Sequence, residues 1–122
     1  MGNENLLPSI FEHEEFGQVR VVMIDGEAWF VAADICRALD IVNYRDAVTR
    51  LDDDERGKEF IPSQGVGLTD FNDGQEMLVV NESGLYALVL TSRKPNAKKF
   101  RKWITSKVLP SIFRTGSYTL PS

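Results

Sequence analysis

Histidine and cysteine, the side chains that build most metal and nucleophilic sites, are nearly missing from this sequence. His13 and Cys36 are the only two among 122 residues, whereas a structural zinc site needs about four ligands at close spacing. Ser83 lacks the leading glycine of a nucleophile elbow. Gly65-Val66-Gly67 is not followed by the Gly-Lys-Ser/Thr of a phosphate loop. We therefore expect no catalytic residue, no metal ion and no cofactor, and we expect that the protein is not an enzyme.

Long apolar runs are missing as well. No run approaches the roughly 18 residues that cross a bilayer, and Met1–Phe11 lacks the basic start and apolar stretch of a secretory signal. A single cysteine forms no disulfide within the chain, which fits a reducing compartment. The hydrophobic fraction of 43% is ordinary for a globular domain of this length. We expect one domain in the cytoplasm, with no membrane contact.

Acidic residues are missing from the last quarter of the chain. Residues 91–122 carry eight bases and no acid, whereas residues 1–59 carry 14 acids and 6 bases. The net charge of −4 therefore hides a basic end on an acidic body. This asymmetry indicates a surface that faces an anionic partner. The basic residues are Arg93, Lys94, Lys98, Lys99, Arg101, Lys102, Lys107 and Arg114.

Apolar runs joined by turn signals predict antiparallel strands. Val19–Ile24 is rich in β-branched residues, and Asp25-Gly26 separates it from Ala28–Val31. Asp-Gly between two such runs predicts a hairpin, because its tight turn needs positive φ. Lys58–Pro62 and the run that follows Asp73-Gly74 predict further strands.

Helical spacing of apolar residues predicts four helices. The first covers Ala32–Leu39, and Asn43 and Asn81 are placed to cap the second and third. The fourth follows Pro95, and Pro110 predicts that it kinks or ends near Leu109. Hairpins and helices that are segregated along the chain predict an α+β fold with antiparallel strands.

The fourth helix separates apolar from basic residues. Phe100, Trp103 and Ile104 recur at core-facing spacing. On the opposite side lie three neighbouring cations at i, i+3 and i+4, namely Lys98, Arg101 and Lys102. One interpretation is a solvated face whose charge is compensated by acids elsewhere. The other is a surface that faces phosphates or acidic groups, and the residues leave both open.

Residues 32–51 have the outline of a helix-turn-helix, with two short helices and a tight turn. The second helix would offer Tyr44, Arg45 and Arg50 to a DNA groove. The turn holds Asp40 and no glycine, and nearby acids repel phosphates. We therefore favour the interpretation that both helices pack on the core.

Several stretches occur together in one order between Phe16 and Tyr118. They are Val19-Arg20-Val21, Trp29-Phe30-Val31-Ala32-Ala33-Asp34-Ile35-Cys36, Asn81-Glu82-Ser83-Gly84-Leu85-Tyr86, Ser92-Arg93-Lys94-Pro95, Ala97-Lys98-Lys99-Phe100, Trp103-Ile104-Thr105, Val108-Leu109-Pro110-Ser111-Ile112 and Gly116-Ser117-Tyr118. In this set and order the chain resembles the N-terminal domain of the Bro family, found in prophage antirepressors and baculovirus repeated-ORF proteins. Asp40 stands where that family commonly has glycine, and Lys107 stands where an acid is common.

Residues 1–16 are polar and acidic without a sustained period, and we expect them to form a flexible arm. The resemblance implies an α+β module in residues 17–118, followed by a tail or linker start in residues 119–122. It implies a phage or prophage antirepressor-type transcription regulator in the bacterial host cytoplasm, which relieves repression through DNA or a repressor protein. Family members usually carry a different C-terminal domain, and we expect that domain to be absent from these 122 residues.

Eight residues are the candidates for contact with DNA or another partner. Among the matched residues, packing explains Arg93, Lys94 and Lys98 least, and Arg20 on the first predicted strand is a further candidate. The full set is Arg93, Lys94, Lys98, Lys99, Arg101, Lys102, Lys107 and Arg20. The first hypothesis is a DNA-binding module that acts through the basic C-terminal helix. The alternative is a protein–protein module that binds a repressor or self-associates without touching DNA.

Overall fold

The computed structural model describes residues 8–62 and 74–114 of the chain. Within these residues, five strands form one antiparallel sheet in the order β1-β2-β3-β5-β4. The strands are β1 (Ser9–His13), β2 (Gly17–Ile24), β3 (Glu27–Val31), β4 (Arg56–Pro62) and β5 (Gly74–Asn81). The helices are α1 (Ala32–Ala38), α2 (Tyr44–Thr49), a short 3₁₀ turn (Asp53–Glu55), α3 (Glu82–Thr91), α4 (Ala97–Trp103), a π-helical segment (Ile104–Val108) and α5 (Leu109–Arg114). The predicted α+β fold is confirmed.

The prediction of a flexible arm in residues 1–16 is wrong from residue 9 onward, where the chain forms a paired strand. Strand β1 pairs with β2 along its whole length, from Ser9 opposite Val21 to His13 opposite Gly17. Phe16 is buried, and its ring centroid lies 5.1 Å from that of Phe100. This strand is only five residues long and has no alternating apolar pattern, so its sequence does not indicate a strand, and its backbone hydrogen bonds come from pairing with β2. Residues 1–7 lie outside the described residues.

The first hairpin forms where Asp25-Gly26 predicts it. Asp25 and Gly26 have φ values of 52° and 80°, which match a turn whose two central residues are left-handed. The predicted strand Lys58–Pro62 is confirmed and begins two residues earlier, at Arg56. It pairs with β5, and the predicted turn at Asp73 lies outside the described residues.

Both predicted asparagine caps are present. The Asn43 side chain accepts the backbone N–H of Asp46 at 3.3 Å, and the Asn81 side chain accepts that of Gly84 at 2.9 Å. Each bond satisfies one of the donors that a helix start leaves without a partner. These caps set the first turns of α2 and α3.

Pro110 does not end the last helix, in contrast to one of the two predicted outcomes. Helical backbone continues to Arg114, and the π-helical segment Ile104–Val108 ends two residues before the proline. A proline has no N–H and its ring clashes with the carbonyl four residues earlier. The wider π turn relieves that clash without ending the helix, so the disturbance is spread over one turn.

The helices pack on one face of the sheet. That core joins Val21 and Phe30 of the strands to Ile35, Leu85 and Phe100 of the helices. A smaller cluster covers the opposite face and contains Val22, Val31, Ile61 and Val79. Cys36 is buried as predicted, and this burial raises the pKa of its thiol to about 11, which keeps it protonated and unreactive.

Candidate nucleic-acid interface

The link between α3 and α4 is fixed to the end of α1. The Ser92 hydroxyl donates to the Leu39 carbonyl at 2.9 Å, and the Lys94 ammonium donates to the Ala38 carbonyl at 3.1 Å. Both carbonyls lie at a helix end, where the backbone lacks its own donors. Lys94, a predicted site residue, is therefore engaged inside the fold, and its cation also lies 6.0 Å from the Phe16 ring.

An aromatic layer supports the basic helix from below. Phe100 and Ile104 are fully buried, which confirms the predicted core-facing stripe. The Trp103 ring lies 6.0 Å from that of Phe100 and 5.0 Å from the imidazole of His13. Rings packed at these distances restrict the helix to one orientation, so the residues on its outer side have defined positions.

Five of the predicted site residues are exposed along this segment. Lys98, Arg101 and Lys102 are exposed on α4, and none has a carboxylate partner among the described residues. Arg93 and Lys107 are exposed before and after α4 and likewise have no ion pair within the described ranges. We call these five residues the basic surface: Arg93, Lys98, Arg101, Lys102 and Lys107.

Lys99 is compensated by an acid from the other end of the chain. Its Nζ lies 2.8 Å from Oε1 of Glu15, and the Asn96 amide donates to the other oxygen of the same carboxylate. The hydrogen bond from Lys99 lowers the pKa of the Glu15 carboxyl below its ordinary value. Lys99 is therefore not part of the basic surface, because its charge is already neutralised by Glu15. The side chain of Arg114 lies outside the described residues.

Arg20, the remaining predicted site residue, is bound to a buried acid. Its Nε and Nη2 donate to the two carboxylate oxygens of Asp34 at 2.9 and 3.0 Å, and this bonding raises the pKa of the guanidinium. Asp34 is 1% exposed and also accepts from Arg37 at 3.1 Å. The sequence signal for this role is an acid inside the apolar run 31–36, because a buried carboxylate needs cations to neutralise it.

The α1–α2 pair offers fewer uncompensated cations than the basic surface. Arg50 pairs with Asp46 at 2.8 Å, Arg56 pairs with Asp53 at 2.6 Å, and Arg45 stacks on the Tyr44 ring at 5.3 Å. Breaking such pairs would oppose contact with phosphate. The geometry therefore favours the α4 side over the helix-turn-helix interpretation.

The described residues contain neither a metal-binding cluster nor a membrane-spanning helix. In residues 8–62 and 74–114, no group of three or more His, Cys, Asp or Glu side chains is placed to hold a metal ion. Across the same residues, no helix is long and apolar enough to cross a membrane.

Comparison with known proteins identifies relatives in bacteria and viruses. A protein of Haemophilus influenzae, described as uncharacterized, is 38% identical over 106 residues, which cover 84% of this chain and 48% of that protein. Protein 289L of Invertebrate iridescent virus 6, named for a Bro-N domain, is 28% identical over 116 residues, which cover 84% of this chain and 28% of that protein. This chain spans about half or less of these relatives, and no solved structure matches it.

The sequence matches the model of a known protein family. The model described as "BRO family, N-terminal domain" matches residues 18–110. The family is associated with DNA-binding regulatory roles, and it is not an enzyme family. The matched range contains four of the five strands, all but the first residue of β2, together with the buried Arg20–Asp34 pair and the whole basic surface. The chain belongs to the BRO family and represents its N-terminal domain.

Proposed function

We propose that this chain is the DNA-binding module of an antirepressor-type transcription regulator of a phage or prophage, which acts in the cytoplasm of a bacterial host. In this proposal the basic surface contacts DNA phosphates. The observation that carries it is the set of exposed cations along residues 93–107 that have no carboxylate partner within the described chain. The membership in a family with DNA-binding regulatory roles supports it.

Counterion release supplies the driving force. A duplex binds condensed counterions, and each cation that neutralises a phosphate releases them, so log affinity falls by about 0.9 per contact as log salt rises. Cations already held by acids would first have to break their pairs. The uncompensated residues of the basic surface therefore contribute more than the paired Arg50 and Arg56.

The spacing of the cations on α4 matches that of phosphates. Lys98 and Lys102 are four residues apart on α4, which corresponds to about 6 Å at 1.5 Å per residue. One DNA strand carries a charge about every 3.4 Å along the helix axis. The face that carries Lys98, Arg101 and Lys102 would therefore meet about two to three phosphates. Such contacts give affinity and position, whereas sequence is read through base edges or DNA shape.

Charge reversal at two matched surfaces tests the proposal. The triple variant K98E/R101E/K102E removes the centre of the basic surface, and R45E/R50E/K58E makes the same change of net charge around α2. Fluorescence anisotropy of a labelled duplex should show binding lost in the first variant and retained in the second. If the first variant binds as the wild type does, or if both lose binding equally, the assignment of the surface is wrong.

A protein partner is the second candidate. The acidic body disfavours DNA, and the side chain of Leu90 is 85% exposed beside the basic surface, where phosphate would gain nothing from it. A repressor or a second copy of the chain would explain this apolar exposure. Capture from host extract with and without nuclease separates the two candidates, because a direct protein complex survives removal of nucleic acid.

A further inference from the structure

An apolar groove lies between α3 and α4 and is not explained by DNA binding. Its walls are Tyr86, Val89, Leu90, Ala97, Lys98 and Arg101. Leu90 projects from the last turn of α3 with 85% of its surface exposed. Burial of an exposed leucine against apolar groups is favourable, and phosphate oxygens do not supply such groups. The apolar wall with cations on one rim instead fits a protein surface that carries acids next to an apolar side chain.

The turn after α1 provides such a surface. Asp40 has a φ of 61°, and the N–H groups of Asp40 and Ile41 donate to the carbonyls of Arg37 and Cys36 at 3.2 and 2.8 Å. This Schellman arrangement ends the helix and turns the next residue, Val42, outward with 97% of its surface exposed. Asp40 is exposed as well. The turn thus presents one apolar side chain beside one carboxylate.

The turn after α1 and the groove between α3 and α4 lie close together. The hydrogen bond from Ser92 to Leu39 joins the end of α3 to the end of α1. Val42 lies three residues beyond Leu39 and Leu90 lies two before Ser92, so each is within about 10 Å of that bond. This part of the molecule thus carries a carboxylate at Asp40, exposed apolar side chains at Val42 and Leu90, and the cations of the groove rim. These groups are complementary to one another in charge and polarity, as two copies in contact would require.

We infer that a second copy of this chain occupies the groove in a two-fold dimer. Val42 of each copy enters the groove of the other beside Leu90 and Val89, and Asp40 of each copy faces Lys98 and Arg101 of the other. A two-fold interface uses the same patch on both copies, as this self-complementary patch requires. Because the patch is small compared with standard interfaces of about 1,600 Å², the dimer is weak and depends on concentration. This inference does not rest on DNA binding.

Analytical ultracentrifugation of the full chain without DNA tests it. The wild type should pass from monomer to dimer between low micromolar and millimolar concentration. V42D and L90D should each weaken association at least about tenfold, and K98E should weaken it less. The matched control is F60D, which changes a 42% exposed apolar residue on the opposite edge strand β4 and should leave association unchanged. Circular dichroism checks that each variant is folded.

Mixing the two variants provides the sharper result. A V42D homodimer and an L90D homodimer each have both contacts broken, whereas the mixed pair keeps one intact contact, formed by the V42D groove and the L90D turn. The equimolar mixture should therefore associate more strongly than either variant alone.

D40K combined with K98E should likewise recover the association that K98E loses. A wild type that stays monomeric, or a mixture no stronger than its components, would overturn the inference and leave the groove to a foreign protein. DNA titrations with the protein below the concentration at which it dimerises keep Lys98 and Arg101 free of Asp40, so neither outcome alters the salt dependence that tests DNA binding.

Discussion

Arg20 and Asp34 are joined by three hydrogen bonds that attach β2 to the first turn of α1. Two come from the guanidinium, and the third comes from the backbone N–H of Arg20 to Oδ2 of Asp34 at 3.0 Å. Strand β3 pairs with β2 only as far as Phe30 opposite Val21, since α1 begins at Ala32. The Asp34 carboxylate therefore satisfies the strand donor that β3 no longer reaches. The pair is a structural feature of the domain.

Loss of the Asp34 carboxylate should destabilise the domain strongly. Asp34→Ala leaves the Arg20 guanidinium and a strand N–H without their acceptor, and removal of one partner from a buried pair costs about 3–5 kcal/mol. Urea denaturation should show this loss in the free energy of unfolding. Asp46→Ala is the control, because it breaks the exposed pair with Arg50 and should cost less than about 1 kcal/mol. Equal losses in the two variants would contradict the structural role.

Asp40→Gly should stabilise the domain. Asp40 holds the left-handed position of the Schellman turn, where a side chain with a Cβ is disfavoured and glycine is not. We expect the free energy of unfolding to rise by about 0.5 kcal/mol, and Asp40→Ala to lower it, since alanine keeps the Cβ and loses the polar side chain. Thermal unfolding at low protein concentration measures both. A glycine variant less stable than the alanine variant would refute this explanation of the turn.

Glu15→Gln should strengthen DNA binding in the proposed mode. Glu15 now compensates Lys99, and its neutral replacement leaves that cation available beside the basic surface. The slope of log affinity against log salt should steepen by up to about 0.9, the value for one added phosphate contact. Glu59→Gln is the control, because it removes the same charge from strand β4. An equal effect of both substitutions would show that net charge alone is responsible.

Stability should decrease as pH falls below about 4.5, the ordinary pKa of a glutamate. The hydrogen bond from Lys99 lowers the pKa of Glu15, and the one from Ser83 lowers that of Glu55. A lowered pKa in the folded state means that the stabilisation is complete above the ordinary value and is lost as pH falls through the lowered one. The midpoint of thermal unfolding, measured from neutral to acid pH, should fall less steeply in E15Q than in the wild type. Parallel curves would contradict a contribution from Glu15.

The sequence predicts the elements whose signals are local. The Asp25-Gly26 turn, the caps at Asn43 and Asn81 and the stripe of Phe100 and Ile104 all depend on residues within a few positions of each other, and the structure contains each one. Strand β1 was not predictable in the same way, because its pattern is weak and its stability comes from pairing with β2.

The roles of single cations depend on distant partners. Lys94 bonds a carbonyl 56 positions away, and Lys99 bonds Glu15 over 84 positions. Both belong to the predicted basic set, and nothing near them in the sequence distinguishes them from Lys98 or Lys102. Only the folded chain shows which cations have partners within the described residues. The partners of Lys94 and Lys99 remove these two residues from the predicted set of cations, and the described ones that remain unpaired form the basic surface.

The salt dependence of DNA binding tests the central claim most directly. The measurement compares the slope of log affinity against log salt for the wild type and for K98A/R101A/K102A, which neutralises three residues of the basic surface without adding acids. If each residue contacts one phosphate, the magnitude of the slope should fall by about 2.7, which is three contacts at about 0.9 each. An unchanged slope, or a wild type that does not bind DNA at low salt, would contradict the proposal that this surface holds DNA.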